Sequence, residues 1–108
     1  MLKNIGQMMR QAKDIQGRIE EAQAKIALTE ATGTSGGGLV EITLTGKGEM
    51  RRLKIDPSLL DGEDKAMLND LIVAAHNDAR TKVAEIVHDE IGKATGGLSL
   101  PPGFGLPM

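Results

Sequence analysis

The strongest constraint in this 108-residue sequence is an apolar stripe at its start. Ile5, Met8, Ala12, Ile15, Ile19, Ala22 and Ile26 recur at alternating intervals of three and four residues. Such spacing lines one face of an α-helix. A repeat of about 3.5 rather than 3.6 residues keeps that face turned toward a partner helix. The segment Leu2–Leu28 has no proline and two glycines. As a helix it would be ~40 Å long at about 1.5 Å per residue. A chain with one aromatic residue has little core against which to lay so long an edge. A second copy is the expected partner, which makes the chain a homodimer.

The charges on this helix are polarised. Through residue 18 the bases are Lys3, Arg10, Lys13 and Arg18, against the single acid Asp14. Over residues 19–30 Glu20, Glu21 and Glu30 face only Lys25. A helix N-terminus favours acidic side chains, by about 0.3–1 kcal/mol each, because the macrodipole is positive there. Here the order is reversed. A local rule broken without visible compensation points toward function, in this case toward an anionic partner. The net charge of −2 argues against nucleic acid, yet residues 63–108 carry seven acids and four bases and supply most of that excess. Distribution outweighs the sum.

Several function classes fall away. The absence of cysteine removes disulfides, thiolate nucleophiles and Cys-ligated zinc, and suits a reducing cytosol. The longest apolar run covers residues 71–75, too short for a membrane span, and no signal-peptide pattern opens the chain. A soluble cytoplasmic protein is expected. The glycine-rich stretches lack a P-loop ending and the dinucleotide fingerprint. His76 and His88 stand twelve residues apart, too far to share a metal as an i, i+4 pair does. Both read as ordinary surface or boundary side chains, and Met8, Met9, Met50 and Met67 as core filler. No enzyme, cofactor or small-molecule substrate is expected.

The rest of the chain parses simply. Residues 30–38 (EATGTSGGG) begin as a short strand and end in a turn. Val40, Ile42 and Leu44 alternate with polar residues as in a half-buried strand. Gly46-Lys47-Gly48 suits a hairpin turn. The return strand Met50–Ile55 puts Leu53 and Ile55 inward, with Arg52 and Lys54 toward water, and Asp56-Pro57 ends it. A second long helix is expected over residues 63–92, capped by Asp61. Its apolar face is Leu68, Leu71, Ile72, Ala75, Ala79, Val83, Ile86 and Val87. The Gly/Pro-rich residues at the end read as an extended tail.

At this level of detail the chain resembles a known family. Residues 33–46 (GTSGGGLVEITLTG), 52–60 (RLKIDPSLL), 77–79 (NDA) and 100–104 (LPPGF) look like the YbaB/EbfC family of bacterial nucleoid-associated proteins. The opening MMRQA of residues 8–12 is similar too. The likeness runs over nearly the whole chain, in order and at the right spacing. It implies an α+β fold of long helix, three-stranded antiparallel sheet and long helix, with residues 29–35 as the first strand. It also implies a tweezer-like homodimer whose helices project as arms, and duplex DNA as partner. The domain would span residues 1–93, followed by a tail over residues 94–108. That tail either docks Phe104 and its neighbours on another subunit or stays disordered.

Phe104 is the only aromatic residue, so platforms for stacking unpaired bases are missing. What remains is duplex DNA held through its phosphates. Lys3, Arg10 and Lys13 lie off the apolar seam and Arg18 borders it, which makes these four the leading contacts. Arg80 and Lys82 rank lower because Glu85, Asp89 and Glu90 follow them, and Arg52 and Lys54 are a third option. Such a protein would sit on the nucleoid, organise the chromosome and bias transcription nearby. The rival reading is a dimeric protein–protein adaptor with no nucleic-acid role.

Overall fold

A computed structural model describes residues 2–96, with side chains from Asn4 onward. The Lys3 side chain and residues 97–108 therefore lie outside the described residues. The order is α1 (Leu2–Leu28), β1 (Glu30–Ser35), β2 (Val40–Thr45), β3 (Met50–Ile55), α2 (Pro57–Leu60) and α3 (Lys65–Ala94). The three strands form one antiparallel meander in the order β1-β2-β3. This is the expected helix–sheet–helix plan with one added turn of helix. None of the described helices is long and apolar enough to cross a membrane.

Local chemistry sets each boundary. Thr29 closes α1 by donating its hydroxyl to the Lys25 carbonyl at 2.8 Å and its amide to the Ile26 carbonyl at 3.0 Å. The β1–β2 turn runs through Gly36, Gly37 and Gly38, at φ of 60°, 68° and 98°, backbone that side-chain-bearing residues rarely adopt. Asp56 caps α2 by accepting the Ser58 amide at 2.9 Å, with Pro57 in the first turn. The cap of α3 is Asp64, which accepts the Met67 amide at 2.9 Å. Asp61, the expected cap, instead closes α2. The sequence pattern placed the helix too early because it did not resolve the intervening turn.

The core is split in two, and α3 links the halves. One cluster joins Val40, Ile42 and Leu44 of the sheet to Ala75, Ala79 and Leu59. The other joins Ile19, Ala22 and Ile26 of α1 to Ile91 and Ala94. The apolar face of α3 shifts roughly a quarter turn around the helix between its two partners, as 3.6-residue geometry shows. The C-terminal half of the α1 seam is thus covered within the chain, not by a second copy. The lower end of α1 also meets the sheet closely: a Cβ on Gly46 would overlap the Ile26 carbonyl and side chain.

α3 sits against β1 with almost nothing between the backbones. A Cβ on Gly33 would fall 2.7 Å from Ala79 Cα and closer still to the Ala79 nitrogen and Ala75 oxygen. Side chains of α3 then satisfy backbone groups of this edge strand. Asp78 accepts the Thr34 amide at 2.9 Å, and Lys82 donates to the Thr32 carbonyl at 3.0 Å. Helix α3 leaves β3 less covered, so Leu53 is 47% and Met50 49% exposed where an inward Leu53 and a buried Met50 were expected. Met8, Met9 and Met67 are exposed as well, so these methionines do not fill the core.

Urea unfolding tests this joint. Gly33→Ala should lose about 2–3 kcal/mol by overpacking, while Gly17→Ala, on an open helix surface, should gain about 1 kcal/mol. Acid should loosen the same joint. The Thr34 amide, then Lys82, holds the Asp78 carboxyl below its usual 3.8. The folded pKa is the lower one, so this stabilisation is complete above about pH 4 and is lost as pH falls through the folded value. Asp78→Ala should be less stable at neutral pH and lose less on acidification.

Candidate nucleic-acid interface

Every residue from 4 to 14 is helical and exposed. The reason is length. α3 ends at Ala94, and Thr95 and Gly96 lie beside Gln11, Asp14, Ile15 and Arg18. The remaining ten or so residues of α1 project past that point, about 15 Å of free helix at 1.5 Å per residue. They lengthen a molecule whose extents are 72 × 21 × 17 Å.

Arg10 and Lys13 stand on the side of this arm opposite the apolar seam, and Arg18 stands at its foot. Each is exposed. Asp14 lies four residues from both Arg10 and Arg18, yet none of these three cations forms an ion pair among the described residues. Their charge is available to an outside anion. The first turn of α1 holds no acid to offset it.

The other candidates are placed differently. Lys82 lies 3.2 Å from Asp78 and donates to Thr32, so its ammonium is engaged in holding α3 on β1. Arg80 is exposed and forms no ion pair among the described residues, but it lies on α3 over the sheet rather than on the arm. Arg52 reaches across the sheet to Glu30 at 2.9 Å. Lys54 is exposed and forms no salt bridge among the described residues, although its charge acts on the Asp56 carboxylate. Arg51 went unnoticed in the sequence. A register shift at Thr43/Leu44 pairs Met50 with Leu44 and Arg52 with Thr43, which leaves Arg51 as the extra, exposed residue. Strict alternation could not have placed it.

At the foot of the arm Lys25 and Lys93 flank Glu90 at 3.3 and 3.8 Å. Both ammonium groups are in water, and surface pairs of this kind contribute about 0–1 kcal/mol. Each buried isoleucine contributes about 1.5–3 kcal/mol, so Ile19, Ile26 and Ile91 hold the arm in place. Among the described residues no group of three His, Asp or Glu side chains comes together as metal ligands would.

Comparison with known proteins gives this geometry a context. The model of the YbaB/EbfC DNA-binding family matches residues 1–98. The chain belongs to the YbaB/EbfC DNA-binding family. A nucleoid-associated protein of Granulibacter bethesdensis is 50% identical over 99% of the chain and 100% of its own length. One from Rhodospirillum centenum is 52% identical with the same coverage. The crystal structure of an uncharacterized protein from Helicobacter pylori superposes with a TM-score of 0.65 at 29% identity. That match covers 82% of this chain and 90% of the other. In this YbaB/EbfC chain the unpaired cations of the described arm lie inside the matched region.

Proposed function

We propose that this protein binds duplex DNA as a homodimer, holding phosphates with the basic halves of its α1 arms. Arg10, Lys13 and Arg18 are the principal contacts, with Lys3 near the tip. Arg80 adds to them from α3, and Lys82 contributes least because Asp78 and Thr32 already hold it. The observation that carries the reading is a projecting helix with three unpaired cations, in a chain of a DNA-binding family. Its relatives are named nucleoid-associated proteins. We place this protein on the bacterial nucleoid, in the cytoplasm, where paired arms would organise the chromosome and modulate transcription nearby.

Dimerisation follows from what one copy leaves open. Met50 and Leu53 are half-exposed on β3, and β3 is an edge strand. Unpaired edges and apolar patches on soluble proteins are ordinarily covered. A second copy over this face joins two sheets at a common base and leaves both arms free. Sedimentation at micromolar concentration should give about twice the chain mass, and Leu53→Glu should shift the protein to monomer with its helix content kept.

DNA titration tests the contacts. Affinity should fall with salt at a log–log slope of about −0.9 per phosphate neutralised, with roughly four contacts per dimer. Random duplex should compete within about one to two orders of magnitude of any preferred site, below the ~10³–10⁷ of a specific regulator. Arg10→Glu with Lys13→Glu should abolish binding while the dimer survives, and Arg52→Glu with Lys54→Glu should matter less. Retained binding in the arm variant with loss in the sheet variant would move the site to the sheet. No affinity at low salt in any form would leave the adaptor reading.

A further inference from the structure

We propose that the free half of α1 packs antiparallel on the same segment of another copy, so that two dimers join arm to arm. Ile5, Met8 and Ala12 continue the seam of Ile15, Ile19, Ala22 and Ile26. α3 covers that seam only as far as Ile15, and beyond it Ile5 is 51%, Met8 65% and Met9 60% exposed. A helix of this length without tertiary support is marginal in water. The covered part of the seam already packs on a helix, and the same spacing of three and four runs on unbroken to Ile5. The open part is therefore shaped for a helix too.

Three observations make that helix another α1. The first is where the charges lie. Asn4, Met9, Gln11 and Gln16 flank the open seam and carry no charge, while Arg10 and Lys13 stand on the far side. Two basic arms can thus meet without bringing their cations together. The second is the fit of sizes. With the arms antiparallel and centred on residue 10, Ile5 lies opposite the partner's Ile15 and Met8 opposite the partner's Ala12. Large faces small in both central layers, as close packing requires. A parallel pair would set Met8 on Met8 and leave a gap at Ala12. On the flanks Met9 and Gln11 each meet their own counterpart, and Asn4 meets the partner's Arg18. The third is where α3 ends. Thr95 and Gly96 form an open notch with Gln11, Ile15 and Arg18. Residues 5–15 overlap over ~15 Å at about 1.5 Å per residue, which brings the partner's Ile5 to Ile15 at this notch. The second arm takes over the seam where α3 leaves it.

The consequence rests on the homodimer and the DNA reading given above. Arg10 and Lys13 of the paired arms face outward on opposite sides, so the pair ties two duplexes together. Two dimers that engage both pairs of arms at once strengthen a weak contact by ~10²–10⁴.

The chain has no cysteine, so a single introduced thiol reports the register. With a short bis-maleimide and no DNA, Gln11→Cys should link to itself, and the linked protein should sediment at about four times the chain mass. A mixture of Gln11→Cys and Gln16→Cys chains should give little mixed product, because those positions lie on opposite flanks of an antiparallel pair. Ile5→Ser with Met8→Ser should cut the link by at least about tenfold, and Gln7→Glu on the far side should leave it unchanged. A dominant Gln11–Gln16 product means parallel arms and overturns the proposal. So does the absence of the Gln11 link, a link indifferent to the two serines, or a linked species of only twice the chain mass. Each of these failures would leave the DNA reading standing. Capture of a labelled duplex by an immobilised one reads the bridging. The two serines should keep the affinity for one duplex and lose at least about tenfold of the captured second. Equal capture would contradict bridging by the arms, whereas no binding to the immobilised duplex by the native chain would sink the DNA reading instead.

Discussion

The contact on which the molecule depends is the approach of two backbones, β1 at Gly33 and α3 at Ala75 and Ala79. Neither alanine retains any accessible surface. With only hydrogen and methyl groups between them, helix and strand come close enough for Asp78 and Lys82 to bond the edge strand directly. That fixes the height of α3 along the sheet. It thereby fixes where its last turns emerge, and those turns carry the second core cluster with α1. A larger residue at position 33 would push the helix outward and tilt everything attached to its far end.

A mismatch of lengths leaves the basic half of α1 uncovered. The α1 helix has 27 residues, but α3 meets only its C-terminal half. The remainder projects, and it is there that the chain places basic residues against the preference of the helix dipole. A dipole penalty of tenths of a kcal/mol per residue is small beside the gain from several phosphate contacts in low salt. The reversed charge order therefore costs little in the free protein, and under the proposed DNA-binding role it would matter chiefly when an anion is bound.

Much of this was legible in the sequence. The strict seam gave α1, the alternation of Val40, Ile42 and Leu44 gave the central strand, and three consecutive glycines marked the turn before it. The basic arm residues were readable because they break a local rule. Three features were not. The drift of the apolar face along α3 hid the change of partner, so Ile91 and Ala94 were missed and the lower seam was assigned to a second copy. The bulge that exposes Arg51 depends on cross-strand register, which no single strand encodes. The engagement of Lys82 depends on Thr32, fifty residues away. Propensity and periodicity describe elements one at a time, and these three belong to pairs.

The central claim is that the projecting half of α1 is where duplex DNA is held. Amide hydrogen exchange of the full protein, with and without a random-sequence duplex at low salt, examines it most directly. Slower exchange concentrated over residues 4–18, with the sheet unchanged, is the predicted result. Slower exchange over β3 and none on the arm would contradict it.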